Sequence, residues 1–372
     1  MFAMTSTQLH FAIAAADSLT QAAENVRPLV STTLVNGDRG QRTAHLPGPR
    51  VYLTALAFFA AMIGSLEAHW RIRGFLPDVP DSAGLWDYHR TRVVGNNDRL
   101  IVAIGTSRIR ADLRPEVLRE SLPSYRYVQL GINGPSSSLG LLAEISCIPR
   151  FRGIVLCDIL PPLMDPELNR DQSEPARQTV AQSRSLNTYV HSLLCDRFVV
   201  LNSALTLREV LAAQGDLRPK PNGPRFRVYA DRTLEVSYAS PEALKRTTKA
   251  KLKSYEELYA RAKRYKSVDE FKQAVAGIAE FVARIQHNGG QVVFLRLPAS
   301  GARLALEESA FPSSIYFSAL ASVTSAPWID FRDLPYADDF ECPDESHLSF
   351  SGAEVFTKSL VAELNQRALV RQ

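Results

Sequence analysis

Cysteine is scarce in this chain: Cys147, Cys157, Cys195 and Cys342 are its only four, and no two of them form a C-x-x-C pair. That spacing argues against a zinc ligand set and a dithiol redox motif; the four could form up to two disulfides in an oxidising compartment, and buried free thiols are the simpler expectation. Charge of one sign is also lacking. A net +4 over 372 residues gives no global polyanion-binding character, so nucleic acid is not an expected partner. No internal repeat or low-complexity tract is present. No glycine-rich phosphate loop follows the first strand, which argues against a flavodoxin-like nucleotide binder. Nothing else in the sequence asks for a cofactor or a metal. With 45% hydrophobic and 22% charged residues, the chain has the make-up of a globular protein rather than a disordered one.

Long apolar runs are rare too, and the one exception stands out. Val51 to Leu66 (VYLTALAFFAAMIGSL) is sixteen residues without a charge, bounded by Arg50 and Glu67. It falls short of the roughly 20 residues of a usual membrane span. Snorkelling ends, with Tyr52 and Trp70 at the interfaces, can supply the difference. The expectation is a single membrane anchor over about 51–70; the alternative is a buried globular helix. Arg39, Arg42 and Arg50 before the run outnumber Arg71 and Arg73 after it, which favours an inside N-terminus and an extracytoplasmic C-terminal part. Residues 1–50 read as a tail, with a weak alanine-rich helix at Leu9–Ala23 and loops at 36–40 and 47–49. Residues 71–98 form a connecting segment with one short helix.

From 99 to 372 strands and helices alternate. Leu100–Ile104, Tyr125–Leu130, Gly153–Ile159, Gln291–Leu297 and Trp328–Phe331 read as strands, and a last helix covers Ala353–Leu364. This pattern predicts an α/β domain with a parallel sheet and helices on both faces. An insertion at about 165–287 carries a helix near 187–213, a hairpin over Arg225–Ser237, and helices near 241–265 and 268–287. The first of that last pair holds nine lysines and arginines between Lys245 and Lys266. It reads as a solvated surface, or as a face for anionic lipid headgroups or an acidic polymer.

Two loops carry chemistry. Gly105-Thr106-Ser107 ends the first strand, where open α/β sheets place their sites; the plain alternative is a serine that only caps a helix. Far downstream, Asp344 and His347 stand three residues apart ahead of the final helix. A histidine takes a serine proton, and a carboxylate orients that histidine. Arg108, beside the serine, and Arg296, at the fourth strand's carboxyl end, can meet an anionic substrate group or face solvent. His89 and His191 lack suitable partners and read as structural.

These blocks resemble the SGNH (GDSL-like) hydrolase superfamily, in a membrane-anchored bacterial branch associated with cell-surface polysaccharides. The resemblance covers about 99–164 and 289–364. It implies a flavodoxin-like three-layer fold carrying a helical and hairpin insertion and one N-terminal transmembrane helix. It also implies esterase, deacetylase or O-acyltransferase activity. In this family's terms Ser107 is the nucleophile, His347 the base and Asp344 its orienting partner. Gly131-Ile132-Asn133-Gly134 is the second block, with Gly134 the better match for an oxyanion N–H. The family's third block brings an asparagine after the third strand. Here Asp158 follows Cys157 instead, and an ionised carboxylate cannot serve a developing oxyanion. Asn133 is the replacement donor this suggests. The implied substrate is an acyl ester, on a glycan by analogy, at the bacterial inner membrane with a periplasmic domain and with polysaccharide assembly proteins as partners. The rival reading is a catalytically silent scaffold or binding subunit of an envelope polysaccharide complex.

Overall fold

A computed structural model describes residues 48–94, 98–134, 138–160, 162, 185–214, 216–219, 224–262, 265 and 267–370. The tail helix expected at 9–23, the loop at 36–40 and the first part of the insertion lie outside these residues. The chain divides into two units between Ala57 and Phe58.

Helix α1, Pro49–Ile72, begins in the first unit and ends in the second. It extends the apolar run at both ends, to 24 residues. At about 1.5 Å per residue that is roughly 36 Å, against a hydrocarbon core of about 30 Å. It is the one helix among the described residues long and apolar enough to cross a membrane, and none of its apolar window is buried against protein. The Thr54 and Ser65 hydroxyls donate to the carbonyls four residues back, so neither needs water.

The second unit is built on a five-stranded sheet: β1 (Leu100–Ile104), β2 (Arg126–Gln129), β3 (Ile154–Asp158), β6 (Gln291–Arg296) and β7 (Trp328–Asp330). Every neighbouring pair is parallel. The order is β2-β1-β3-β6-β7, the flavodoxin-like arrangement whose switch point falls between β1 and β3. Side chains alternate strictly across it. Val102, Ile104, Val155, Cys157, Val292 and Phe294 enter one core, beneath α5 (Ser138–Ser146), α9 (Val268–His287) and α11 (Ser313–Thr324). Ile101, Ala103, Ile154, Leu156, Val293 and Leu295 enter the other, beneath α3 (Ser107–Asp112), α4 (Pro115–Ser121) and α12 (Phe350–Gln366). The result is three layers, α/β/α.

Helix α9 shows why the sequence folds this way. Phe271, Val275, Ile278, Val282 and Ile285 are its buried residues, at alternating spacings of four and three, and the Ser267 hydroxyl caps the Glu270 N–H. The connecting segment folds onto the second unit through α2, Ala83–Thr91. There Leu85 packs with Cys195 and with Val228 and Leu234 of the hairpin.

Among its described residues the insertion departs from the sequence expectation at the first helix. The helix expected near 187–213 is two helices, α6 (Ser185–Cys195) and α7 (Leu207–Ala212), separated by a 3-10 turn at Val199–Leu201. The break lets the Val199 and Val200 N–H groups reach the Glu67 carboxylate of α1. The hairpin forms as expected, β4 (Pro224–Val228) against β5 (Leu234–Tyr238). Helix α8 covers Pro241–Arg261. Two helices the sequence reading left unassigned, α10 (Gly301–Ala310) and α11, lie between β6 and β7. All four cysteines are free; Cys157, Cys195 and Cys342 are buried and Cys147 is exposed.

Candidate active site

The carboxyl end of β1 meets that of β3 at Gly105. A Cβ there would lie 2.5 Å from the Asp158 Cβ, so only glycine lets the two strand ends approach. Asp158 then accepts from the Thr106 hydroxyl at 2.9 Å and from the Thr106 N–H at 3.3 Å. Burial raises its carboxyl above the usual range, against the pull of Arg108. Asp158 therefore holds the loop ahead of Ser107, and it is not among the walls of the cleft described below. Thr106 caps α3 by accepting from the Arg108 N–H, which leaves Ser107 half-buried at the first position of the helix.

The Asp344–His347 loop arrives from the other end of the domain. The His347 Nε2 stands 3.0 Å from the Ser107 Oγ, and its Nδ1 stands 2.9 Å from Asp344 Oδ2. Asp344 Oδ1 accepts from the N–H groups of Ser346 and His347 at 3.0 and 2.7 Å. These bonds fix the tautomer: Nδ1–H donates to the carboxylate, and the Nε2 lone pair faces the serine hydroxyl. Asp112, at the end of α3, accepts from the Leu348 N–H at 3.0 Å, tying the serine helix to the histidine loop. Burial pushes the Asp112 carboxyl well up.

Two residues of the insertion complete the site, and sequence reasoning missed both. The Lys251 ammonium and the Tyr238 hydroxyl each donate to Asp344 Oδ2, and Lys251 Nζ also lies 3.2 Å from His347 Nδ1. Burial would raise the Asp344 carboxyl, but the His347 hydrogen bond and the Lys251 charge hold it well below the carboxylate range. Burial brings His347 down to about 4, and the neighbouring Lys251 charge pushes the same way against the Asp344 bond. The site thus carries a neutral imidazole at ordinary pH. Lys251 belongs to the basic run read as a solvated or lipid-facing surface; no local spacing singles it out from its neighbours.

Arg108 and Arg296 do not face substrate or solvent, and the structure corrects both expectations. Arg108 is 1% exposed. It donates to the Pro298 carbonyl at 2.8 Å, to the Leu297 carbonyl, and to Glu307 at 3.3 Å. Arg296 is buried against Glu308, Asp330 and Glu307. Both guanidiniums neutralise carboxylates brought in by α10 and β7. Arg303 joins the same cluster, donating to Glu307 at 2.8 Å and to the Ser346 hydroxyl, with its guanidinium 3.8 Å from the Tyr255 ring of α8. Burial would raise the Glu307 carboxyl, but the charges of Arg108, Arg303 and Arg296 hold it below the usual range. The network runs from the residue after Ser107 to the residue before His347.

A cleft of about 230 Å³ opens over the serine. Thr106, Ser107, Gly134 and Leu160 form its sheet side, and α8 supplies Lys251, Ser254, Tyr255, Glu257, Leu258 and Arg261. Gly134 is exposed and has a φ of +93°, a conformation that suits glycine. Asn133 is not a wall of the cleft; its Oδ1 accepts from Arg110 at 2.8 Å. His89 is buried and contacts the Ala230 carbonyl at 2.9 Å, whereas His191 is exposed with its ring 3.6 Å from the Cys195 sulfur. Among the described residues no cluster of three or more His, Cys, Asp or Glu side chains can hold a metal ion.

No family model and no curated protein matches the chain. Among solved structures it is similar to a Bacteroides fragilis protein provisionally assigned as an acylhydrolase. That likeness has 11% identity and a TM-score of 0.33, and covers 77% of this chain and 98% of the other. It is also similar to a carbohydrate acetylesterase family member from Sinorhizobium meliloti, at 10% identity and a TM-score of 0.32, covering 73% and 100%. The functional reading rests on the side chains above.

Proposed function

We propose that the chain is a serine esterase or O-acyltransferase that works through an acyl-serine. The observation that carries this is the unbroken line of hydrogen bonds from Ser107 Oγ through His347 to Asp344. Ser107 Oγ attacks the ester carbonyl while His347 Nε2 takes its proton, and Asp344 stabilises the imidazolium that forms. The N–H of Ser107 opens α3, where such groups lack intrahelical acceptors. With the N–H of Gly134 it receives the oxyanion. Collapse of the tetrahedral intermediate expels the alcohol, which takes the proton from His347. Water then releases the acyl group as an acid, or a sugar hydroxyl accepts it as an ester.

The cleft is smaller than the roughly 300–1,000 Å³ of drug-sized pockets, which favours a short acyl group over a lipid chain. A glycan acceptor or donor, a bacterial inner-membrane location with the α/β unit on the periplasmic side, and envelope polysaccharide proteins as partners belong to the same proposal. They rest on the family resemblance and on the arginines around α1. One observation favours a silent scaffold instead: Asp158 stands where the family carries an oxyanion asparagine, and loss of one such donor costs about 10²–10³ in turnover.

A serine-directed fluorophosphonate decides between the two readings. The full chain in detergent is expected to label, and Ser107→Ala to stay unlabelled. If the wild type is as unlabelled as Ser107→Ala and cleaves no short acyl ester, the domain is a scaffold.

The pH dependence follows from the charges around His347. Catalysis needs the neutral imidazole, so with the histidine at about 4 the acid limb of kcat/KM lies near pH 4, well below an ordinary histidine's 6.5. Lys251→Met removes a like charge, so the imidazolium is less disfavoured. The limb is then expected to move upward by on the order of one pH unit. A profile of short-ester hydrolysis from pH 3 to 8 reads this directly, and an unmoved limb in the variant would mean that Lys251 does not tune His347.

A further inference from the structure

Outside the cleft, the feature the proposed chemistry does not use is an apolar surface at the foot of α1. Helix α6 has two faces. Ser192 and Cys195 are buried, and Tyr189 and Cys195 pack in the cluster that holds Leu85 of α2. Leu186, Val190 and Leu193 repeat at positions i, i+4 and i+7 on the outward face. They are 64%, 51% and 43% exposed, and Leu194 beside them is 47% exposed. Phe198 just before the 3-10 turn and Leu201 within it are exposed, and Leu207 and Leu211 of α7 are exposed at 74% and 67%. Single exposed leucines are ordinary; a helical stripe of apolar side chains continued by the next two elements marks an interaction surface.

The end of α1 is fastened to this same segment. Glu67 accepts from the Val199 and Val200 N–H groups at 3.0 Å each, and Arg71 donates to the Arg197 carbonyl at 2.9 Å. Trp70 is buried with Phe75 and Val199, and Val210 of α7 packs against that cluster. The stripe therefore begins where the membrane-length helix leaves off. Arg197 and Arg208 are exposed beside it, the arrangement that suits anionic headgroups. Glu209 is the exposed acid on α7, and Asp216 is taken up by Arg73 and Arg218.

We propose that the surface from Leu186 to Leu211 is a second membrane contact, seated at the headgroup–acyl boundary of the bilayer that α1 crosses. Its occupant is lipid. The stripe lies in the plane of the interface as amphipathic helices do, and the α/β unit is held against the bilayer rather than swinging on a tether. This inference rests on the reading of α1 as a membrane helix and is independent of the esterase reading.

The test uses the full chain reconstituted in phosphatidylcholine–phosphatidylglycerol vesicles with and without brominated acyl chains. Val190→Trp and Leu207→Trp each add a reporter, and the unmodified chain supplies the background from Trp70, Trp86 and Trp328. A thermal melt unchanged from wild type shows that each variant is folded. The added emission is expected to shift to the blue and to fall about twofold in the brominated vesicles. Emission that is equal in both vesicles and open to aqueous iodide would place the stripe in water and overturn the proposal. Protection from iodide without bromine quenching, together with a dimer mass in light scattering, would put a second copy there and overturn it equally.

Discussion

His347→Ala lowers the turnover of a short acyl ester by about 10⁴-fold or more, with KM little changed and the fold intact. The activity loss follows from geometry. Without the imidazole, no other group among the described residues hydrogen-bonds the Ser107 Oγ to take its proton, and the proposed oxyanion donors act on an un-ionised hydroxyl. The fold survives because Asp344 keeps its other partners: the backbone N–H groups of Ser346 and residue 347, Lys251 and Tyr238. Steady-state kinetics beside a thermal melt separate the two effects. A variant that loses stability in step with activity would show that His347 is a packing residue, and retained turnover would show that it is not the base.

The second large effect is on stability. Glu307 is 2% exposed and receives Arg108 at 3.3 Å and Arg303 at 2.8 Å, with Arg296 at 3.8 Å. Glu307→Leu keeps a side chain of similar size and removes the carboxylate that these three guanidiniums share among the described residues. Breaking a buried ion pair from one side costs about 3–5 kcal/mol, because the partner charge is left buried and uncompensated. For a domain of this size that is a fall in Tm of roughly 10 °C, read by circular dichroism. Activity is expected to fall as well, since Arg108 follows Ser107 and Arg303 holds Ser346. A melt equal to wild type would mean that water enters and solvates the arginines. The network would then contribute little to the placement of the two loops.

The sheet is legible in the sequence because its strands are short β-branched runs ended by glycine, proline or polar turns. Burial on both faces writes itself as uninterrupted apolar stretches such as Leu100–Ile104. The two loops are legible for a related reason: each sits at a strand or helix end, where the chemistry a residue type can do is restricted. What could not be read locally was what the insertion contributes. Lys251 is one of many basic residues on α8, and only the packing of that helix over the sheet's carboxyl edge brings its ammonium to Asp344. The same physics misdirected the reading of Arg108 and Arg296. An arginine at a strand end looks available to ligand until Glu307, on a helix assigned only by the structure, is found beneath it. The apolar run behaved in the opposite way. Sixteen residues are short for a span, and helical continuation through Glu67 to Ile72 supplied the missing length while Glu67 reached across to Val199.

A serine that carries the acyl group between donor and acceptor is acylated during turnover. The most direct measurement is rapid acid quench of the full chain during the burst with p-nitrophenyl acetate, followed by peptide mass spectrometry. The proposed acyl-serine mechanism predicts one acetyl group on the peptide bearing Ser107 and none in Ser107→Ala, which should also lose the burst. Ester cleavage at the wild-type rate by Ser107→Ala, or a burst that leaves Ser107 unmodified, would contradict it.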